Sequence, residues 1–466
     1  MAIHIEGKWT PLDKLVEITL YDCWSCLSLP TLEHLPHLRN LVLWNMQNLT
    51  CLRSSNVTGS SKPLSPSLRS LQLSFLEKWI VGAPNSSKMI SPVLETLEIK
   101  YCPKIILLDE CHPHPLVSLK IQNCYGLEYI KSIQGLTSLE SLHIDNCPSL
   151  LGIGNFSGDN YPASETNMAI DIQRKWAPLD KLVEIRLDGC KSCLSLPTLE
   201  YLPHLRDLVL EKMDSLTFLR SSDVTGSTRP LSPSLRSLKL EYMYSLEKWI
   251  DGATNCSKMI SPVLQSLSIW RCPKIILIDE CPLVSLEISD CNGLVSIKSI
   301  QGLTSLESLS IWRCPSLLEI ANLPNECHSL KTLEITDCGK LTSLPHELFD
   351  SFGFLNELEL GPFSKELDSF PSLQGIEKLR NHLHELTLYG VDQWESIPEE
   401  IQHLTSLTRL RIVGFGIQEL PMWLASMSSI QKLEFHNCKG LNEETVRRGA
   451  PLEATVVKLN NEVLIN

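Results

Sequence analysis

The sequence predicts an α/β repeat solenoid, a stack of short parallel strands joined by irregular returns. Three observations predict it: one apolar pattern recurs seventeen times, each recurrence is too short to form a core alone, and a long block of recurrences occurs twice. The pattern is LxxLxLxxC. It reads Leu15-Ile18-Leu20-Cys23, Leu94-Leu97-Ile99-Cys102, Leu116-Leu119-Ile121-Cys124 and Leu139-Leu142-Ile144-Cys147. It returns as Leu182-Ile185-Leu187-Cys190, Leu264-Leu267-Ile269-Cys272, Leu283-Leu286-Ile288-Cys291, Leu306-Leu309-Ile311-Cys314, Leu330-Leu333-Ile335-Cys338 and Ile430-Leu433-Phe435-Cys438. Variants with another residue in the last slot begin at Leu38, Leu68, Leu205, Leu235, Leu355, Leu383 and Leu407.

Alternation inside LxL makes a short strand with one buried face, and the residues between point to solvent. A unit of roughly 20–29 residues cannot bury its own apolar face, so neighbours must stack over one shared core. Returns such as Ser28-Leu29-Pro30 and Ser343-Leu344-Pro345 carry turn-forming residues. This is the signature of a leucine-rich-repeat horseshoe, with a concave parallel β-sheet of about 17 short strands and a mostly irregular convex side. At about 4.8 Å per strand the concave surface would run about 80 Å.

A coarser repeat lies above this one. KSIQGLTSLESL occurs at Lys131–Leu142 and unchanged at Lys298–Leu309, and CPKIILLDEC from Cys102 matches CPKIILIDEC from Cys272. The stretch Met1–Leu150 is copied at Met168–Leu317. The expected organisation is a first repeat block over residues 1–150, an irregular junction over 151–181, a second block with the C-terminal repeats over 182–440, and a cap over 441–466 built from a short helix and an extended segment. Gly152, Gly154, Gly158, Asn160 and Pro162 make the junction the place for a kink or break. The opening MAIHIEGKW matches MAIDIQRKW at Met168, a mid-array position, which suggests a fragment lacking an N-terminal cap.

The chain has 466 residues and a formal charge of -13, which argues against nucleic acid as a principal partner, because phosphate neutralisation needs a basic stripe. The first residues lack the basic and long apolar regions of a secretory signal, and no 18-residue stretch is free of polar interruptions. A cytoplasmic protein with no membrane partner is expected, in which sequons at Asn48 and Asn85 are bystanders. Of seventeen cysteines, ten fill the last slot of the pattern, where a small buried residue with a weak donor suits a tight turn.

Chemistry has few candidates. Cys23-Trp24-Ser25-Cys26 and Cys190-Lys191-Ser192-Cys193 are lone CxxC pairs without the second pair a tetrahedral zinc site requires. Cys111-His112-Pro113-His114 loses both histidines in its copy at Cys281. Asp109-Glu110, Asp279-Glu280 and Glu399-Glu400 read as solvated turns rather than an acid and base in differing environments. There is no GxxxxGK[ST] phosphate loop. No catalytic residue, metal site or cofactor is therefore expected, and the chain is not expected to be an enzyme.

Recognition has better candidates in the outward residues just after each LxL. These include Lys100 and Tyr101 in the first block and Trp270, Arg271, Asp290, Trp312, Arg313 and Asp337 in the second. Trp beside Arg is the composition of a binding hot spot. The alternative is that Arg271, Asp290, Arg313 and Asp337 are surface ion pairs along the ladder, worth about 0–1 kcal/mol each.

Stretches such as LTSLESLSIWRCPSLLEI, LKTLEITDCGKLTSLP and IPEEIQHLTSLTRLRIVGFGIQELPMWLASMSSIQKLEFHNCKGL resemble the leucine-rich-repeat region of plant intracellular nucleotide-binding disease-resistance proteins of the coiled-coil class. The resemblance covers nearly the whole chain. It implies protein partners: a pathogen effector, a guarded host protein, or a nucleotide-binding domain held inactive by contact. The phosphate loop and the rest of that domain are missing from the sequence, so only recognition or autoinhibitory contact carries over. A substrate adaptor of a ubiquitin ligase, which also uses Cys-bearing repeats, is the alternative, and it would need an F-box-like segment before Leu15.

Overall fold

The computed structural model describes residues 12–27, 29, 32–49, 63, 65–76, 90–103, 115–130, 133, 136–153, 179–194, 196, 199–220, 230–250, 260–274, 282–297, 300, 302–321, 327–345, 347–460 and 462–465. They fall into two compact units, Met1–Cys256 and Ser257–Asn466. Each is a leucine-rich-repeat solenoid.

Among the described residues, unit 1 carries nine parallel ladder strands. These are β1 (Glu17–Tyr21), β2 (Asn40–Trp44), β3 (Ser70–Ser74), β4 (Thr96–Lys100) and β5 (Ser118–Gln122). They continue as β6 (Ser141–Asp145), β7 (Glu184–Asp188), β8 (Asp207–Glu211) and β9 (Ser237–Glu241). Each pairs with the next in one unshifted register, so that Ile18 lies opposite Leu41 and Leu41 opposite Leu71. The second and fourth residues of each strand are the LxL positions. They are buried almost throughout, while odd positions stay mostly accessible, which is the period-2 alternation of a one-sided sheet.

Unit 2 continues the same plan with β10 (Ser266–Trp270), β11 (Ser285–Ser289), β12 (Ser308–Trp312), β13 (Thr332–Thr336) and β14 (Glu357–Gly361). Then follow β15 (Glu385–Tyr389), β16 (Arg409–Val413), β17 (Lys432–His436) and β18 (Val456–Leu459), all parallel, with β19 (Glu462–Ile465) antiparallel to β18. The strand β18 is one rung more than the seventeen LxxLxLxx matches. Its version of the pattern is Ala454-Val457-Leu459, in which smaller apolar residues are buried at the Leu positions. Residues 441–466 thus hold a helix, Glu443–Gly449, a further ladder strand and an antiparallel edge strand. Asn442 starts the helix, its Oδ1 accepting from the Thr445 amide at 2.9 Å.

The returns are mostly irregular, with short 3-10 turns at Ile376–Leu379, Glu399–His403 and Leu424–Ser426. Residues 154–178, most of the expected junction, lie outside the described residues. The ladder does not break across them: β6 pairs directly with β7 over five residues, from Ser141 opposite Glu184 to Asp145 opposite Asp188. The register there is the same as between the other rungs.

The duplication is visible in detail. Ser67 Oγ donates to the carbonyl of Leu38 at 2.9 Å, and Ser234 Oγ does the same to Leu205 at 2.9 Å. Where the last slot lacks cysteine it holds another apolar side chain, such as Met46, Met213, Met243, Phe363 or Phe415, each buried.

Candidate functional site

The candidate surface is built at the corner where each ladder strand ends. Among the described residues, sixteen of the eighteen parallel ladder strands are followed directly by a residue with positive φ, between +47° and +76°. The left-handed region crowds Cβ against the backbone, so Gly, Asn and Asp enter it most readily. Ten of the sixteen corners hold those types: Asp22, Asn45, Asn123, Asn146, Gly189, Asp290, Asp337, Gly414, Asn437 and Asn460. The corner amide donates to the last carbonyl of the next strand, as from Tyr101 to Gln122 at 2.9 Å, and the slot cysteine adds a second donor to the carbonyl two residues before it. All ten slot cysteines donate Sγ–H to the carbonyl two residues back, from Cys102 to Lys100 at 3.1 Å to Cys314 to Trp312 at 3.7 Å. Burial pushes the Cys102 thiol up to about 12 and Cys338 to about 11, so these sulfurs stay protonated donors.

Six corners hold bulkier residues instead: Phe75, Tyr101, Lys212, Tyr242, Arg271 and Arg313. Three of them are residues singled out by sequence. In unit 2, Trp270 and Trp312 end β10 and β12, and Arg271, Asp290, Arg313 and Asp337 occupy four successive corners. Trp270 Nε1–H donates to Asp290 Oδ2 at 2.6 Å, and Arg313 Nη2 stands 3.0 Å from that same oxygen. The Arg313 guanidinium lies 4.2 Å from the centroid of the Trp312 ring, and that of Arg271 lies 5.4 Å from the Trp270 ring. The Asp290–Arg313 pair of the ion-pair alternative is present, and its two members each contact an indole. Asp337 is exposed one corner further along. Lys100 and Tyr101 belong to unit 1. Lys100 Nζ pairs with Glu98 Oε1 at 2.9 Å.

Tyr101 instead joins a cluster that sequence reasoning missed. Its ring stacks on Phe75 with centroids 4.5 Å apart and planes 7° from parallel, and Trp44 meets Phe75 edge-on at 5.3 Å. The signal was available, because Trp44 occupies the last position of β2, the place Trp270 occupies in β10. In the second copy the matching residues are Glu211, Tyr242 and Arg271, so the duplicated blocks have diverged at this edge. A row of carboxylates, Asp145, Asp188, Glu211 and Glu241, ends the four strands β6 to β9. Burial, with the charge of Glu211 beside them, holds Asp188 and Glu241 above the usual carboxylate range. Lys212 lies against Glu211 and is 3.4 Å from Asp188 Oδ1, which raises its own affinity for a proton.

The CxxC cysteines Cys23, Cys26, Cys190 and Cys193 are free thiols, and all but Cys23 are buried. Among the described residues no group of three or more His, Cys, Asp or Glu could hold a metal ion. Cys111–His114, Asp109-Glu110 and Asp279-Glu280 lie outside the described residues. Glu400 Oε1 accepts from Ser372 Oγ at 2.8 Å and from the Leu373 amide at 3.2 Å, a structural tie between two returns. Among the described residues no helix is long and apolar enough to cross a membrane.

No family model matches the chain. It is 28% identical over 202 residues to the protein SUPPRESSOR OF npr1-1, CONSTITUTIVE 1 of Arabidopsis thaliana, a match covering 41% of this chain and 13% of that one. It is 31% identical over 134 residues to RGA4 of Solanum bulbocastanum, named for disease resistance, covering 28% of this chain and 13% of that one. The matched stretches thus span about an eighth of these relatives' length. Among solved structures, a leucine-rich-repeat protein of Leptospira interrogans matches with 18% identity and a TM-score of 0.41, over 82% of this chain and 87% of its own. The chain is a leucine-rich-repeat protein, and its repeats are similar to those of plant disease-resistance proteins.

Proposed function

We propose that this chain is a non-catalytic recognition array in plant defence, which binds a protein partner at the strand-end corners of its ladder. The partner is a pathogen effector, a guarded host protein, or a nucleotide-binding domain held inactive by the contact. The observation that carries the reading is the Trp270–Asp290–Arg313–Trp312 network. It pins two indoles beside two left-handed corners, one of which holds the bulky Arg313 at a cost of about 1–2 kcal/mol relative to Gly or Asn. Arranging large contact area with polar handles in advance lowers the ordering cost of association. The resemblance of the repeats to those of disease-resistance proteins supports defence as the setting.

The test is a two-hybrid screen of the full chain against plant and pathogen expression libraries, followed by retesting each hit against Trp270→Ala plus Trp312→Ala. The double variant is expected to weaken true partners by about tenfold or more, with the melting temperature within about 3 °C of the parent. Hits that bind the double variant as well as the parent would refute the role of this cluster.

A further inference from the structure

The ladder face of unit 2 changes sign along its length. The outward positions of β13 to β15 carry Glu334, Glu357, Glu359 and Glu385 and no cation. On β16 to β18 they carry Arg409, Arg411, Lys432 and Lys458 against the single carboxylate of Glu434. In a chain of formal charge -13 this is a local excess of positive charge.

Glu434 organises that excess. Its side chain is 9% exposed, Lys432 Nζ and Lys458 Nζ each lie 3.3 Å from its Oε1, and Arg411 Nε lies 3.9 Å from Oε2. Burial alone would raise its pKa, but hydrogen bonds from Lys432 and Lys458 and their charges bring it below the usual range. One carboxylate cannot neutralise three cations, so it gathers them and leaves a surplus. Two donors beside it are unused: Arg411 Nε and His436 Nε2 are both buried and have no hydrogen-bond partner. His436 opens onto a recess of about 710 Å³ lined also by Asp392, Gly414, Asn437, Lys439 and Asn460.

We propose that the β16–β18 face and its recess receive an acidic peptide segment of a protein partner. One carboxylate of that segment accepts from Arg411 Nε–H and from His436 as its Nε2–H tautomer, while neighbouring carboxylates lie over Lys432 and Lys458. Charge complementarity and the two unused donors argue for carboxylates at defined spacing. The lysines are only 30% and 29% exposed, which suits a chain laid along the ladder better than a lipid surface gripping protruding cations. The site uses no residue of the Trp270 cluster and stands without it.

Fluorescence anisotropy of a labelled deca-glutamate peptide with the full chain in low salt tests this. Deca-glutamate is expected to bind and deca-glutamine not, with affinity falling as salt rises. Lys432→Gln plus Lys458→Gln should weaken it at least about tenfold, as screened charge pairs of this kind do at interfaces, and Trp270→Ala plus Trp312→Ala should leave it unchanged. Because the lysine variant also unpairs Glu434, a second readout is the pH dependence. The free imidazole of His436 is held below its usual range by burial and by Arg411 and Lys458, against the opposing charge of Glu434. A bound carboxylate raises that pKa, so affinity should grow as pH falls from 8 to 6, and His436→Asn should flatten the profile. Equal binding of deca-glutamine, an unaffected lysine variant, or a flat profile in the parent would overturn the proposal. So would sedimentation with phosphatidylserine vesicles in place of peptide binding, or charge-dependent self-association of the chain without it.

Discussion

At the scale of single residues, the corner after each strand governs what this protein can display. A left-handed residue turns its side chain out along the strand-end edge, and its amide and the thiol of a slot cysteine both donate to last-strand carbonyls. Against backbone bonding closed in this way, buried side-chain atoms without a partner become informative. Ser65 and Ser232, equivalent positions in the two blocks, are fully buried and their hydroxyls have no partner. An unmet buried hydroxyl costs about 1–3 kcal/mol, so Ser232→Ala is expected to be neutral or stabilising by up to about 1 kcal/mol in a urea melt, whereas most buried polar substitutions destabilise. A clear loss of stability would mean that the hydroxyl is bonded in solution.

At the scale of elements, neighbouring strands set one another's electrostatics. The row Asp145, Asp188, Glu211, Glu241 places like charges at the ends of adjacent strands about 4.8 Å apart. Because the folded pKa of Asp188 is raised, the fold favours its neutral form. That contribution is present below the unfolded carboxylate range and is lost as pH rises through the folded value. Asp188→Asn should therefore raise the melting temperature at pH 7, on the order of 1–3 °C, and the gain should vanish near pH 4. A variant less stable than the parent at pH 7 would show that the Lys212 contact outweighs burial and repulsion. The same logic, with the sign reversed, applies to β16–β18, where one buried carboxylate collects cations rather than repelling its like.

At the scale of the whole molecule, the cysteines report on packing. All thirteen described cysteines are free, and all but Cys23 are buried. Burial also raises the pKa of Cys190 and Cys438, which lowers the thiolate fraction that alkylation requires. Brief native iodoacetamide treatment followed by peptide mapping should therefore leave Cys102, Cys190, Cys338 and Cys438 unlabelled, and a reducing agent should not shift the melt. Rapid labelling at these positions would mean that the repeats open locally.

Much of this was legible beforehand, because stacking a repeat makes burial periodic. LxL fixes which side chains enter the core, and Cys102 or Leu333 could be placed there from spacing alone. The extra strand β18 was missed because Ala454 and Val457 weaken the leucine signal. The left-handed corner also went unread, although Asn, Asp or Gly before the slot residue in ten of sixteen corners was its trace.

The sequence by itself determined the strand register, the buried face, the cysteine slots and the outward place of Trp270 and Trp312, since all follow from local alternation and period. Only the tertiary structure decided that Asp290 ties Trp270 to Arg313, that Phe75 stacks on Tyr101, and that Arg411, Lys432 and Lys458 converge on Glu434. Apart from Lys432, which is two residues from Glu434 on the same strand, those partners sit about one repeat apart along the chain. Stacking sets them side by side at strand spacing, and the return lengths and rotamers that decide which atoms then meet are carried by no local pattern.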